Sequence, residues 1–294
     1  MTSQEAKRII NRYVSNDNPT QDDEFVFVEA LQFLIETEND TDSMVNLGGF
    51  YYEKGKYDLA EKYYLLADEN GDKWAADGLG FIYYYGRVGA RDYKKAFHYF
   101  SIAKENGNLE AAMKIADMYH NGFGVDKDDE KYKAIILDLY DKLKDTNKLF
   151  DPYPEVAHRL ADIFINEGHG DDALEMLFKG RSFIEQRIRY NPFWGNFIVL
   201  RRTITLLYKI IEFDEDNFNF SDLFYLLSKP HVVELTYHGK QYLIESFFDE
   251  DEMRVKCGDK FYKSIENFLM NALFDNKHTY VIEYEDYYHL ELVK

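Results

Sequence analysis

The sequence has little of what secreted and membrane-spanning proteins use. Its 294 residues include one cysteine, Cys257, and only five prolines. A single cysteine cannot form an intramolecular disulfide, which is typical of a reducing compartment. No run of about 18 apolar residues is present, and the N-terminal stretch lacks the apolar core of a secretion signal. We therefore expect a cytoplasmic protein without a membrane segment.

Positive charge is also scarce. The chain has 35 Lys and Arg residues against 54 Asp and Glu residues, a formal net charge of -19. Such a surface repels phosphate backbones and anionic membranes, so we predict no nucleic-acid partner and no membrane attachment. The same charge keeps the chain soluble and can steer a basic protein partner toward it.

Motifs for catalysis, cofactors and metals are missing as well. There is no HExxH, Walker loop, GxSxG or CxxC, and no two histidines share helical ligand spacing. The acidic run Asp126, Asp128 and Glu130 lacks the glycine that a calcium loop needs. Cys257 has no basic neighbour besides Lys256, so it is not expected to be a nucleophile. We predict no enzyme activity, no cofactor and no metal.

What the sequence does contain is a repeated helical pattern. Ala76, Leu79, Gly80 and Tyr83 follow the spacing i, i+3, i+4, i+7 of one helix face. Equivalent stripes begin at Ala6, Met44, Ala112 and Ala157. Second stripes begin at Ala30, Ala60, Ala96, Ala134 and Ala173, spaced by 30, 36, 38 and 39 residues. This period predicts about five helix-turn-helix pairs, each with an A helix and a B helix.

Glycines inside the predicted helices indicate close packing. Gly48 and Gly80 lie within A helices, where glycine costs about 1 kcal/mol of helix propensity relative to alanine. Gly78 and Gly80 form a GxG, but it lies inside a helix and follows no strand, so we interpret it as packing and not as a nucleotide loop. Helix axes approach closely only where small residues face each other.

Residues 75–112 resemble the Sel-one-like repeat, a relative of the tetratricopeptide repeat. Residues 121–125, Asn-Gly-Phe-Gly-Val, match the loop between its two helices. The resemblance is clearest over residues 42–145, whereas the pairs at 3–38 and 152–186 are predicted from period alone. It implies an α-solenoid that acts as a non-enzymatic scaffold for protein interactions.

Beyond residue 212 the pattern changes to a period of two. Residues 232–237 and 241–248 predict a hairpin around His238 and Gly239, and 253–257 a third strand. Residues 261–274 have helical spacing, and 281–284 with 288–293 predict a closing hairpin. The predicted domains are therefore a helical solenoid with a helical cap over 1–212 and a small α+β module over 213–294.

Two groups of residues are candidates for partner contact. Repeat arrays bind ligands along positions that recur one turn past the core of each A helix. Those positions and their neighbours are Tyr52, Tyr84, Lys114, Asp117, His120, Arg159 and Asp162. A plain core role for the two tyrosines is the alternative, because aromatic residues at helical spacing usually pack inside.

The second group is a basic island in an acidic chain. It contains Arg181, Arg187, Arg189 and Trp194, and Arg and Trp are common in binding hot spots. The alternative is a structural role within the chain, since these arginines can pair with acidic residues of neighbouring helices.

We interpret the chain as a non-enzymatic scaffold or adaptor that presents a repeat surface to a protein partner. One alternative is an immunity or inhibitor protein that neutralises a basic partner. An enzyme with its site in the C-terminal module is less favoured, because no residue set for such a site is present. The aromatic-rich surface leaves a homodimer open.

Overall fold

The computed structural model describes residues 1–16, 18–146, 151–216, 218–281 and 288–293. Contacts divide the chain into two compact units, Met1–Ile135 and Ile136–Lys294. This division differs from the boundary after residue 212 that the sequence suggested. The two domains expected from the sequence, 1–212 and 213–294, therefore stay a prediction. The chain is mainly helical, with a small sheet near the C-terminus.

The first unit is built from antiparallel helix pairs. Its helices are α1 Ser3–Val14, α2 Gln21–Glu38, α3 Thr41–Glu53, α4 Tyr57–Glu69, α5 Ala75–Tyr85, α6 Tyr93–Glu105 and α7 Leu109–Asn121, followed by α8 Asp129–Leu143, in which the division falls. The odd-numbered helices are the predicted A helices and the even-numbered ones the B helices, so the periodic pattern is confirmed.

Local signals fix the ends of these helices. Thr2 and Thr20 form capping boxes with Glu5 and Asp23, which satisfy backbone N–H groups of the first turn. Asp40 and Asn108 cap α3 and α7 through their side chains. Gly86 and Gly122 end α5 and α7 in the left-handed conformation, as their positions predicted.

Glycine–aromatic contacts hold the repeats of the first unit together. The Tyr64 ring of α4 lies between Gly48 of α3 and Gly78 of α5; a Cβ on either glycine would overlap ring carbons. Gly80 of α5 packs in the same way on the Phe100 ring of α6. The close-packing interpretation of these glycines is confirmed.

The second unit combines three helices with a sheet. Helices α9 Tyr153–Asn166, α10 Gly170–Tyr190 and α11 Trp194–Leu207 precede a 3-10 turn, Phe220–Asp222, and α12 Leu223–Leu226. The strands are β1 Val232–Tyr237, β2 Lys240–Asp249, β3 Glu252–Cys257, β4 Lys260–Tyr262, β5 Leu273–Phe274, β6 Lys277–His278 and β7 Tyr288–Leu292, with α13 Ile265–Asn271 between β4 and β5. The five-stranded sheet has the antiparallel order β4-β3-β2-β1-β7, and one core joins it to α10 and α11.

Turn chemistry explains the register of the sheet. His238 and Gly239 both have positive φ, +48° and +74°, so the predicted β1–β2 hairpin is confirmed. Glu250 and Asp251 form an equivalent turn between β2 and β3. Strand β7 pairs with β1, whereas the strand predicted at 281–284 falls largely outside the described residues.

Three predicted helix boundaries were wrong. The sequence predicts a repeat helix from Ala173 and a separate cap helix near 180–190, whereas residues 170–190 form one continuous helix, α10. It predicts a second cap helix near 194–212, whereas α11 ends at Leu207. The helix predicted over 261–274 begins only at Ile265, because residues 260–262 pair with β3 and Ser264 provides the N-cap.

Candidate protein-binding surface of the repeats

Three of the predicted residues, one each on α3, α5 and α7, belong to one connected surface within the first unit. Helices α3 and α5 end in aromatic residues that lie one turn beyond their buried stripe, and α7 contributes a lysine. We define the cation–aromatic surface by Tyr52, Tyr57, Phe81, Tyr84, Tyr85, Arg87 and Lys114. Of these, the sequence had identified Tyr52, Tyr84 and Lys114.

Arg87, in the loop after α5, is the centre of one half of this surface. Its guanidinium carbon lies 5.0 Å from the ring centroid of Tyr57 and 5.2 Å from that of Tyr85. Both distances are within the range of a cation–π interaction. Interaction with the Tyr52 hydroxyl raises the pKa of Arg87 above its ordinary value. An exposed arginine is therefore held in a defined place by three tyrosines.

Lys114 of α7 is the centre of the other half. Its ammonium lies 5.6 Å from the ring centroid of Phe81 and 5.3 Å from that of Tyr84. It also donates a hydrogen bond of 3.2 Å to the Tyr85 hydroxyl. The same nitrogen is 5.5 Å from the Tyr85 centroid, so it lies toward the hydroxyl edge of that ring and not over its face.

Among the described residues, neither cation of this surface has a carboxylate partner. In the part of the chain that the structure describes, no Asp or Glu oxygen forms a salt bridge with Arg87 or Lys114. Asp77 of α5 interacts with Lys114 electrostatically but does not pair with it. In a chain with net charge -19, two fixed cations are thus left on an aromatic surface.

Asp77 is itself unusual, because its Oδ1 atom is buried and accepts no hydrogen bond among the described residues. Burial, reinforced by the nearby Glu110 carboxylate, raises the pKa of Asp77 to about 6. With this pKa the carboxyl group is still mostly ionised at neutral pH, and it becomes protonated as the pH falls below about 6.

The remaining predicted residues of α7 have partners within their own repeat. His120 Nδ1 lies 2.9 Å from Asp129 Oδ1, and its imidazole is tilted on the Tyr132 ring at 4.7 Å. Asp117 is half-buried, and its backbone carbonyl accepts from the Asn121 side chain. Both residues lie on α7, the helix that also carries Lys114.

In the second unit, Arg181 is an internal residue. Its guanidinium donates to Glu185 at 2.7 Å, to Asp222 at 2.8 Å and to Asn219 at 2.8 Å, and its side chain is 13% exposed. Burial disfavours its charge, but Glu185 and Asp222 outweigh that effect and raise its pKa. The geometry favours the internal alternative for Arg181, which ties α10 to the 3-10 turn.

Arg187 and Arg159 are also engaged internally. Arg187 donates to Glu155 Oε1 at 2.7 Å and to the Asp151 carbonyl, and only 12% of its side chain is exposed. Arg159 donates to the Glu155 carbonyl at 2.9 Å, one turn earlier on α9. We therefore exclude Arg181 and Arg187 from the candidate surface. Asp162 is half-buried on α9.

Arg189 and Trp194 lie at the exposed turn between α10 and α11. Trp194 is 41% exposed, and its neighbours Tyr190 and Phe193 are 71% and 63% exposed. Arg189 is exposed as well. The structure therefore keeps this part of the predicted basic island accessible, as an aromatic turn separate from the buried arginines.

Other features of the described residues concern metal binding, membrane insertion and thiol reactivity. They contain no cluster of three potential metal ligands, and every helix among them is too short or too polar to cross a bilayer. Burial raises the pKa of the Cys257 thiol to about 11, which leaves almost no thiolate at neutral pH.

Sequence reasoning missed Tyr57, Phe81, Tyr85, Arg87 and Asp77. Tyr85 and Phe81 occupy the same face of α5 as Tyr84 and could have been found from helical spacing. Arg87 could not, because it lies beyond the C-cap Gly86, and periodicity does not extend into a loop.

Comparison with known proteins supports the repeat assignment. The model of the Sel1 repeat matches three consecutive segments, residues 41–72, 75–108 and 109–137. These segments correspond to the pairs α3/α4, α5/α6 and α7/α8, which carry all seven residues of the cation–aromatic surface.

Two curated relatives come from Arabidopsis thaliana. The ERAD-associated E3 ubiquitin-protein ligase component HRD3B is 26% identical over 140 residues, and component HRD3A is 31% identical over 81 residues. The matches cover 48% and 28% of this chain but only 22% and 12% of those proteins.

Among solved structures, the chain resembles c5321, a protective antigen of uropathogenic Escherichia coli strains with an SLR fold. The TM-score is 0.51 at 18% identity, over 73% of this chain and 50% of that one. This likeness concerns the fold alone. The three matched segments show that residues 41–137 contain Sel1 repeats, and Sel1 repeat proteins act as protein-interaction scaffolds.

Proposed function

We propose that this protein is a non-enzymatic adaptor that binds a segment of a protein partner on the cation–aromatic surface of its first unit. The observation that carries the proposal is the pair of cations, Arg87 and Lys114, which lie on aromatic rings and form no salt bridge with an Asp or Glu among the described residues. Tyrosine provides large contact area with little loss of side-chain freedom, arginine provides several hydrogen-bond donors, and both are enriched at the residues that dominate binding energy in protein interfaces.

The relatives suggest the kind of role. HRD3A and HRD3B are named as components of a ubiquitin ligase, that is, as members of an assembly. We infer that this chain is likewise a member of a protein assembly, in which the repeats supply contacts and not chemistry. A cytoplasmic location, expected from composition, is part of the same proposal.

Site-specific photo-crosslinking in cells tests this function. The photoreactive residue p-benzoylphenylalanine replaces Tyr85, which is 40% exposed on the surface. The matched control carries it at Phe25, which is 64% exposed on α2 and lies outside the surface. We expect one discrete crosslinked protein from position 85 that is absent from position 25.

The crosslink should disappear when Lys114→Ala is added, and persist when the exposed Lys104 is changed to alanine instead. Equal crosslinks from both positions, or none from position 85, would contradict the proposed surface. A crosslinked product that contains a small molecule and no second protein would point to a different function.

The net charge of -19 favours one further candidate, an inhibitor of a basic protein. In that case the captured protein is basic, and the complex dissociates as the salt concentration rises. A neutral or acidic partner would rule this candidate out.

A further inference from the structure

We infer that the cation–aromatic surface recognises a partner segment through one side-chain carboxylate, an Asp or Glu, held between Arg87 and Lys114 above Tyr85. This rests on the proposed function and specifies the partner chemistry. It runs against the expectation from net charge alone, because the local charge of the surface is opposite to that of the whole chain.

The hydrogen-bonding capacity of the two cations supports a carboxylate ligand. A guanidinium has five N–H donors and an ammonium three. Lys114 gives one donor to the Tyr85 hydroxyl, and among the described residues the Arg87 guanidinium interacts with Tyr52, Tyr57 and Tyr85. Both side chains therefore keep donors for a ligand, and charge-assisted hydrogen bonds to a carboxylate are the strongest that they can make.

The position of Tyr85 brings the two cations to one ligand. Arg87 stacks on its ring at 5.2 Å, and Lys114 binds its hydroxyl at 3.2 Å. The rings hold both cations in place before a ligand arrives, so less side-chain entropy is lost on binding. Phe81, parallel to Tyr85 at 6.2 Å, adds an aromatic wall on which apolar neighbours of the carboxylate can pack.

The acidic residues around the surface limit the ligand to a single negative charge. Asp77 and Glu110 lie near Lys114, and the chain as a whole is strongly acidic. A polyanion such as a nucleic-acid strand would be repelled by that field, whereas one carboxylate between two cations would not. The predicted segment therefore carries one acidic residue among apolar ones.

Peptide phage display against the full chain tests this inference. A library of random dodecapeptides, displayed as internal segments without a free C-terminus, is selected on the wild type. Individual peptides are then synthesised with an amidated C-terminus, and their dissociation constants are measured. We expect selected peptides to share one Asp or Glu flanked by apolar residues. Replacing that Glu by Gln should weaken binding about tenfold or more.

The variant Arg87→Gln should weaken binding of the parent peptide by a similar factor. It should leave the affinity for the Gln peptide unchanged, since that peptide has already lost the contact with Arg87. Lys114→Gln should behave in the same way. The matched control is Lys104→Gln, at an exposed lysine of the same unit. It should change the affinity for neither the parent peptide nor the Gln peptide. Unchanged circular dichroism of each variant would show that the fold is intact.

The outcomes separate the inference from the function on which it rests. Peptides that bind at Tyr85 but share no acidic residue, or share a basic one, would overturn the inference that the ligand is a carboxylate. The proposed protein-binding role would stand. Binding that needs a free C-terminal carboxylate would overturn the inference that the carboxylate comes from an Asp or Glu side chain. If selection yields no peptide that distinguishes the wild type from Tyr85→Ala, the binding surface itself is wrong.

Discussion

Two cations of the first unit and three arginines of the second unit have opposite surroundings. In the first unit, Arg87 and Lys114 rest on aromatic rings and have no carboxylate partner among the described residues. In the second unit, Arg181, Arg187 and Arg201 each pair with a carboxylate at 2.7 to 2.8 Å. An arginine on rings keeps its donors for a ligand, whereas an arginine buried among acids has already used them for folding. Sequence alone shows both as basic residues near aromatic ones.

The largest effect that would test this contrast is expected at Arg181. Arg181→Leu leaves Asp222 and Glu185 without their buried counter-ion, and breaking such a pair from one side costs about 3 to 5 kcal/mol. We expect a loss of about 3 kcal/mol in the free energy of unfolding, measured by urea denaturation. The exposed Arg202→Leu is the control and should change it by less than about 0.5 kcal/mol. Equal effects would show that the Arg181 network does not hold the second unit together.

A smaller effect is expected where the first unit depends on glycine. In Gly78→Ala, the new Cβ overlaps the Tyr64 ring, so we expect a loss of about 2 kcal/mol despite the better helix propensity of alanine. Gly49→Ala is the matched control, because its Cβ would lie 3.6 Å from the Tyr64 hydroxyl, an ordinary contact. There we expect a gain of about 0.5 to 1 kcal/mol. If both variants lose stability, the ring contact is not the cause.

The next effect concerns pH. Because the pKa of Asp77 is raised to about 6 in the folded protein, above its ordinary value, the folded state binds the proton more tightly than the unfolded one. Its contribution to stability is therefore fully present below about pH 4 and is lost as the pH rises through 6. Asp77→Asn should remove this dependence and be about 1 kcal/mol more stable than the wild type at pH 7. Glu105→Gln, at an exposed position of α6, should leave the pH profile unchanged.

The smallest effect is expected at Arg87, which is the direct counterpart of Arg181. Arg87→Ala removes an exposed cation from two rings, and such contacts contribute about 0.5 to 1 kcal/mol. We expect unfolding in urea to shift by no more than that. A loss as large as that of Arg181→Leu would mean that Arg87 is part of the framework and would weaken its assignment to a binding surface.

Much of the fold could be predicted from the sequence because repeats encode local rules. The stripes at Ala76–Tyr83 and Ala112–Tyr119 identify helices α5 and α7, and His238–Gly239 identifies the β1–β2 turn, since each depends on residues close together in the chain. The long helix α10 was predicted as two helices, whereas the structure continues it through Gly180, which packs against Ala157 of α9.

The candidate surface was only partly predictable. Tyr52 and Tyr84 follow from the repeat, and Lys114 from its place on α7. That Arg87 stacks on Tyr57 and Tyr85, while Arg181 is enclosed by Glu185 and Asp222, depends on residues distant in sequence. No periodic rule distinguishes these two arginines, because it is the partners brought by folding that decide which one remains available.

The Tyr64 ring between Gly48 and Gly78 has a further consequence. Because one flat ring separates two successive A helices, its thickness sets the distance from α3 to α5, and hence the step between Tyr52 and Tyr84 on the surface. A buried residue outside the binding surface thus sets the spacing between the residues of that surface. Substituting it, together with its glycines, would change which partner segments fit without altering any residue that touches them.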